Sequence, residues 1–557
     1  HIMTGIHAFL EVLAGAGVRH LFGNPGSTEL PLNDAVAADR RFTYVLGLQE
    51  VPVVAMADGY AMASGGVGVC NLHTACGLGN GMGMLYNAHR AGTPLVVTAG
   101  QQDRRLRFAE PVLEGDLVSV ARSWTKWSAE VERAADVPIA TRRAIQVART
   151  PPTGPVFLSL PLDVQTEECG PIDLSAPHVP DPRARPPADA LNRATELLIA
   201  ARSPVILAGS RVTESGACAE VAQLAESLGA PVFAESASSH GRLPIRADHP
   251  LYRGPLPLWS PDVRAELAVF DVALCVGLNV LRLYVHRGPE GPIPRGLRLI
   301  HLDNVPSEIG KNYPVEVGLI GDPKVGLEEL TDLVRRRAPS EFVAAAGRRV
   351  EDWSTRRARE RSELLARFES ERATRPMTGR TLMHALARVL PGYAAVVEEA
   401  PTTHQNLLER LGVLTDPTGH FGHRGWALGW GLGCSIGVKL AWPDRPVVAL
   451  LGDGAALYGI QGLWSAAKYR VPVVFVISNN AQYKILKATG DLLPLPELAK
   501  RNYVAMDLTG PEVDFVSLSR SFGVDAVRVS DPDELSDRVR AALGGERPIL
   551  LDVLIER

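Results

Sequence analysis

No stretch of this sequence reaches the roughly 18–20 consecutive apolar residues needed to span a bilayer, so a helical membrane anchor is not expected. Charge of one sign is missing too. The 58 Lys and Arg face 62 Asp and Glu, a formal net charge of -4, which leaves no electrostatic footprint for nucleic acid. Cysteine is scarce: six residues are scattered with no zinc-type pairs, as in a reduced, cytoplasmic protein. No secretory apolar segment follows the start, and His1-Ile2, ahead of Met3, reads as a cloning remnant. Short-period repeats and low-complexity tracts are also lacking. What remains is globular in composition, 46% hydrophobic and 22% charged over 557 residues, a length that suggests three domains.

Short β-branched runs alternate with longer helical stretches. Pro94 to Thr98, Pro204 to Leu207, Pro446 to Leu450 and Pro472 to Ile477 are apolar at successive positions, as strands buried on both faces must be. The expected class is α/β, with doubly wound parallel sheets covered by helices. Two stretches break the pattern. Residues 177–187 hold five prolines and should run extended as a linker. Residues 335–375 are dense in Arg and Glu and read as a solvated helix and connector. Cutting there gives domains at 4–176, 188–337 and 377–557.

Residues 447–483 carry the most chemistry. A strand from Val447 to Leu451 runs into Gly452-Asp453-Gly454, a helix-like stretch spans Ala455 to Lys468, and a second strand, Val473 to Ile477, ends at Asn479-Asn480. Asp453 and Asn480 thus each sit just past the carboxyl end of a buried strand, at the edge where open sheets bind ligands. Mg2+ prefers few protein carboxylates together with phosphate oxygens. Asp453 offers a carboxylate, Asn480 an amide oxygen and Gln482 a backbone carbonyl. Gly452 and Gly454 admit an anion, and the helix start at Ala455 turns free N–H groups towards it.

GDG followed at this spacing by NN resembles the thiamine-diphosphate motif of the decarboxylase and acetohydroxyacid-synthase superfamily. The resemblance covers essentially the whole chain. Asn24-Pro25-Gly26-Ser27-Thr28-Glu29-Leu30-Pro31, Asn71-Leu72-His73 and Ala99-Gly100-Gln101-Gln102 are similar to segments of its benzoylformate decarboxylases. It implies pyrimidine-binding, central and diphosphate-binding domains in that order, with thiamine diphosphate and Mg2+ as cofactors. Glu50 matches the carboxyl group that activates the aminopyrimidine. Without the family it would be an acid favoured by a helix N-terminus. Ser27 matches a residue that contacts the substrate carboxylate, or else fills a turn. His73 suits proton transfer near neutral pH. Alignment on Val276-Gly277 puts Tyr284 where relatives carry a second histidine, with His286 two residues on. Leu428 matches the apolar prop beneath the cofactor, and the segment beginning Gln482-Tyr483 should wall the pocket. Lys484 and Lys487 read as solvent-facing.

The family builds each site across two chains, so a homodimer is the minimum active unit and a homotetramer is expected. The implied activity is non-oxidative decarboxylation of a benzoylformate-like 2-oxo acid to an aldehyde. The alternative is an acetolactate-synthase-like carboligase. A non-catalytic scaffold is disfavoured because Glu50, Asp453 and Asn480 are all present. Gly433-Cys434-Ser435-Ile436-Gly437 fits G-x-S-x-G, but its small-residue surroundings read as one helix rather than a nucleophile elbow. Ala208-Gly209-Ser210 follows a central strand without a fuller dinucleotide fingerprint.

Overall fold

The computed structural model describes residues 3–235 and 241–557. His1 and Ile2 of the expected cloning remnant lie outside the described residues. Three parallel six-stranded sheets organise the chain. The first holds His20–Gly23 (β1), Thr43–Leu46 (β2), Gly68–His73 (β3), Leu95–Gln101 (β4), Trp127–Glu130 (β5) and Val156–Pro161 (β6), in the order β2-β1-β3-β4-β6-β5. The second holds Pro204–Ala208 (β7), Val232–Ala234 (β8), Tyr252–Pro255 (β9), Val272–Val276 (β10), Arg298–Asp303 (β11) and Val317–Ile320 (β12), ordered β12-β11-β10-β7-β8-β9. The third holds Ala395–Glu399 (β13), His420–Gly422 (β14), Val447–Gly452 (β15), Val474–Asn479 (β16), Asp525–Val529 (β17) and Ile549–Leu554 (β18), ordered β14-β13-β15-β16-β18-β17.

The first and third sheets therefore share one strand order. Strands β4, β6, β7, β10, β13 and β16 are buried along their whole length, because helices cover both faces. The helix Glu50–Ser64 packs against the helix Trp430–Ala441 with almost no separation. A Cβ on Gly437 would lie 2.0 Å from the Met56 carbonyl oxygen, and one on Gly59 2.2 Å from that of Cys434. The Trp430 indole N–H donates to Asp58 across this contact at 2.9 Å. One apolar core runs through it, from Val53 and Met56 to Ile436 and Phe475.

Residues 177–187 contain no helix or strand. The charged stretch forms the end of one helix, Pro323–Arg337, and a single 32-residue helix, Ser340–Glu371, in which Phe342, Ala346, Leu364 and Phe368 are buried. The helix expected from Ala455 to Lys468 is instead two short ones, Asp453–Leu457 and Gly462–Lys468. Gly459 lies at the break, where a Cβ would fall 2.6 Å from the Gly429 carbonyl oxygen. The G-x-S-x-G match lies inside the helix Trp430–Ala441, with the Ser435 hydroxyl donating to the Leu432 carbonyl at 2.6 Å. No helix among the described residues is long and apolar enough to cross a membrane.

Candidate active site

Two groups of side chains form at the carboxyl ends of strands, the edge at which open α/β sheets bind ligands; the first lies where the strand order reverses, between β1 and β3. In the first sheet β1 and β3 are neighbours, with Gly23 opposite Asn71. Beyond β1 the chain makes the 3-10 turn Ser27–Glu29, and β3 ends at His73. A Cβ at Gly26 would sit 2.1 Å from His73 Nδ1, so only glycine lets the turn lie on the imidazole. His73 Nδ1 is 2.6 Å from Glu29 Oε1. The Thr28 hydroxyl donates to the other Glu29 oxygen. Burial pushes the Glu29 carboxyl up from its ordinary value, while Thr28, His73 and the Gly100 backbone pull it down. Ser27 is exposed beside this group.

Glu50 is the first residue of the helix Glu50–Ser64, whose cap is the Gln49 side chain accepting from the Val51 N–H at 2.5 Å. Its carboxyl is buried and accepts from Asn80 at 3.4 Å. Gly77 and Gly81 of the helix Thr74–Ala91 face it, and a Cβ at Gly77 would lie 3.1 Å from Glu50 Oε2. The sequence thus brings Ser27, Glu50 and His73 to one sheet edge. Among the described residues no hydrogen bond joins Glu50 to Asp453 of the same chain.

The second group lies on the third sheet. Gly452 pairs with Ser478 across β15 and β16, so Asp453 and the Asn479–Asn480 turn leave adjacent strands side by side. The Asp453 carboxyl accepts backbone N–H groups, including that of Ala481, and burial raises its pKa to about 6. Asn480 Oδ1 accepts from the Gln482 N–H at 3.3 Å, which curls the loop back. The Tyr483 ring lies on Gly454, where a Cβ would be 2.7 Å from it. Ala455 is buried beside them. Gly452, Asp453, Gly454, Ala455, Asn480, Gln482 and Tyr483 are therefore one cluster. Lys487 departs from expectation: it is half-buried and donates to the Gln482 side chain at 2.6 Å and to Asp507 at 2.5 Å, because the loop before β17 folds over it.

Leu428 is half-buried in the loop ahead of the helix Trp430–Ala441. Asn87 fixes that loop at both polar atoms of Ala427, donating to its carbonyl at 2.8 Å and accepting its N–H at 3.0 Å. Glu399, the last residue of β13, accepts the N–H groups of Gly429 and Trp430 at 3.3 and 3.1 Å. Burial raises the Glu399 carboxyl to about 8 and lowers His423, 3.9 Å away, to about 3, so the two form a neutral pair. Tyr284 reaches this loop, its ring centroid 5.0 Å from that of Trp426. His286 is exposed beyond it. Among the described residues neither Tyr284 nor His286 hydrogen-bonds to the His73 group.

Sequence reasoning did not single out Glu29, Asn87 or Glu399. Glu29 lies 44 residues from His73, so only the fold brings the two together. In the central sheet the ends of β7 and β10 approach closely: a Cβ at Gly209 would fall 2.5 Å from Leu278, and Arg211 is held by Asp303 at 2.8 and 2.9 Å.

Family models of the thiamine pyrophosphate enzymes match three stretches: the N-terminal TPP binding domain over residues 3–117, the central domain over 191–330 and the C-terminal TPP binding domain over 403–553. Benzoylformate decarboxylase of Pseudomonas aeruginosa is 36% identical over 559 residues, covering 99% of each chain. A probable acetolactate synthase large subunit of Methanocaldococcus jannaschii is 28% identical, covering 100% of this chain and 92% of the relative. Among solved structures, the thiamine diphosphate-dependent 4-hydroxybenzoylformate decarboxylase of Rhodococcus jostii RHA1 is 31% identical. It superposes with a TM-score of 0.87 over 100% of this chain and 99% of that one. The chain belongs to the thiamine pyrophosphate enzyme family, in the group that contains 2-oxo acid decarboxylases, acetolactate synthases and carboligases.

Proposed function

We propose that this protein is a Mg2+- and thiamine-diphosphate-dependent decarboxylase that converts a benzoylformate-like 2-oxo acid to an aldehyde without oxidation. The observation that carries the reading is the His73–Glu29 pair beside Ser27. A hydroxyl that can hold a carboxylate stands next to an imidazole that can move a proton, which suits loss of CO2 followed by protonation at the same carbon.

The residues fit the cofactor. Asp453 is a buried carboxyl with no cationic side chain within ion-pair distance among the described residues, and burial raises its pKa, with the Asp552 charge adding to the shift. A divalent ion would supply the missing charge. Asp453, Asn480 and the Gln482 carbonyl would hold Mg2+, while Gly452, Gly454, Ala455 and Tyr483 line the diphosphate side. When bound, thiamine diphosphate supplies a nucleophilic carbon and an electron sink. Glu50, from a partner chain, holds a proton at the aminopyrimidine, and Leu428 supports the rings. Ser27 orients the substrate carboxylate and His73 carries the proton. Tyr284 is the second proton-bearing group, with His286 behind it. On this reading the domains are 4–176, 188–337 and 377–557, the active unit is a homodimer and the assembly a homotetramer.

The acetolactate synthase relative keeps a second reading in view, a carboligase that joins the decarboxylated fragment to a second carbonyl. Product analysis on benzoylformate, with and without added aldehyde, separates the two. Free aldehyde as the main product in both supports the decarboxylase; coupled product with no free aldehyde overturns it. Glu50→Gln is expected to keep cofactor affinity yet lose roughly 100-fold or more in kcat.

A further inference from the structure

We propose that a cavity away from this site binds a small molecule carrying two or more phosphate groups. The cavity, about 460 Å3, opens where β9 meets the helix Ser340–Glu371 and the short helix Leu407–Arg410. That volume falls in the range of small-molecule sites. Its wall carries Arg253, Arg357, Arg361, Arg367 and Arg410 against the carboxylates of Glu360 and Glu363. Glu360 is already engaged, bidentate to Arg253 at 2.8 and 2.9 Å. Arg357 donates to the backbone carbonyls of Tyr252 and Ala247, and Arg361 to that of Leu411 at 3.0 Å.

The side chains of Arg367 and Arg410 make no hydrogen bond or ion pair among the described residues. Both are exposed at the cavity mouth; partial loss of water around the Arg410 guanidinium lowers it from its usual value, while Glu360 opposes the shift and the charge of Arg367 adds to it. Like charges gathered in a concave wall repel one another unless an anion enters. The charge-rich stretch that reads as a solvated face in the sequence thus lays part of its arginine stripe along the cavity, beside buried Leu364, with Arg361 and Arg367 exposed at its mouth. Planar guanidinium forks favour phosphate oxygens over a diffuse anion. The floor is stiff: the Tyr252 hydroxyl donates to buried Glu409 at 2.6 Å, so the ordering that binding requires falls on the Arg367 and Arg410 side chains.

The test titrates the full-length holoenzyme, saturated with thiamine diphosphate and Mg2+, with fructose 1,6-bisphosphate at low ionic strength in a calorimeter. A bisphosphate binds metal weakly enough to leave the cofactor in place. The expected result is one site per chain with a Kd of about 1 mM or tighter, weakened by added salt. The doubly substituted Arg367→Ala, Arg410→Ala protein is expected to bind about tenfold or more weakly, with unchanged melting temperature and turnover. If the double variant does not fold, Arg410→Gln alone is read the same way. No heat of binding, equal affinity in the variant, or binding of tricarballylate in preference to the bisphosphate would overturn the proposal.

Discussion

At the scale of single residues, the His73–Glu29 contact and the Glu399–His423 pair ask for different experiments. Glu29→Gln keeps a hydrogen-bond acceptor for the imidazole but removes its counter-charge. It is expected to lower kcat by roughly 10–100-fold without changing cofactor affinity. Steady-state rates beside cofactor titrations check both. A purely structural role for Glu29 would lower the melting temperature and spare kcat.

Glu399 bears on stability instead. Burial raises its carboxyl from 4.5 to about 8, so the folded state favours the neutral form. Its contribution is full below about pH 4.5, is lost as pH climbs towards 8, and changes no further above that. Up to about pH 6.5 the lowered His423 contributes the opposite slope and offsets this loss, so the cofactor-free protein should melt progressively lower between about pH 6.5 and 8. Glu399→Gln should flatten this part of the Tm-versus-pH curve; an unaltered slope would contradict the assignment.

At the scale of elements, the glycine-lined contact between the helices Glu50–Ser64 and Trp430–Ala441 sets the spacing on which both groups of site residues depend. Gly437→Ala gains about 1 kcal/mol of helix propensity, but the new methyl would overlap the Met56 carbonyl. The net expectation is destabilisation of about 1–3 kcal/mol. Gly347→Ala, in the exposed part of the helix Ser340–Glu371 with nothing within 4 Å of its Cβ, should instead stabilise by about 0.5–1 kcal/mol. Denaturant midpoints for the two variants, moving in opposite directions, check the pair.

The same elements explain what could be read from the chain beforehand. Val447 to Leu451 and Val473 to Ile477 announce themselves as strands because they are apolar at every position, and GDG and NN stand at their ends. The break in the helix after Asp453–Leu457 is not visible there. It comes from the approach of Gly459 to Gly429, a tertiary contact with no local signature. Lys487 looks like a surface residue for the same reason: Asp507 lies 20 positions away, in a loop whose path no periodicity predicts.

At the scale of the whole molecule, the shared strand order of the first and third sheets is the largest feature with no trace in sequence periodicity. Each sheet offers one half of a site, Glu50 and His73 on one and Asp453 and Asn480 on the other. If the halves meet between chains, two inactive variants should rescue each other. Glu50→Gln and Asp453→Ala chains, mixed and reassembled at random, should recover about a quarter of wild-type activity, since each mixed dimer has one intact site of two. Activity measured after co-refolding checks this; no recovery would place both halves in one chain.

The Asn87 clamp on Ala427 has a thermodynamic consequence for coenzyme uptake. Both polar atoms of that peptide residue are held by a side chain from the first sheet's own helix, so the bend leading to Leu428 is set when the polypeptide first folds. Docking of the coenzyme then proceeds onto a preformed seat. Its heat-capacity change should track only the apolar area the ligand covers, with none of the larger signature that accompanies a coil-to-order transition.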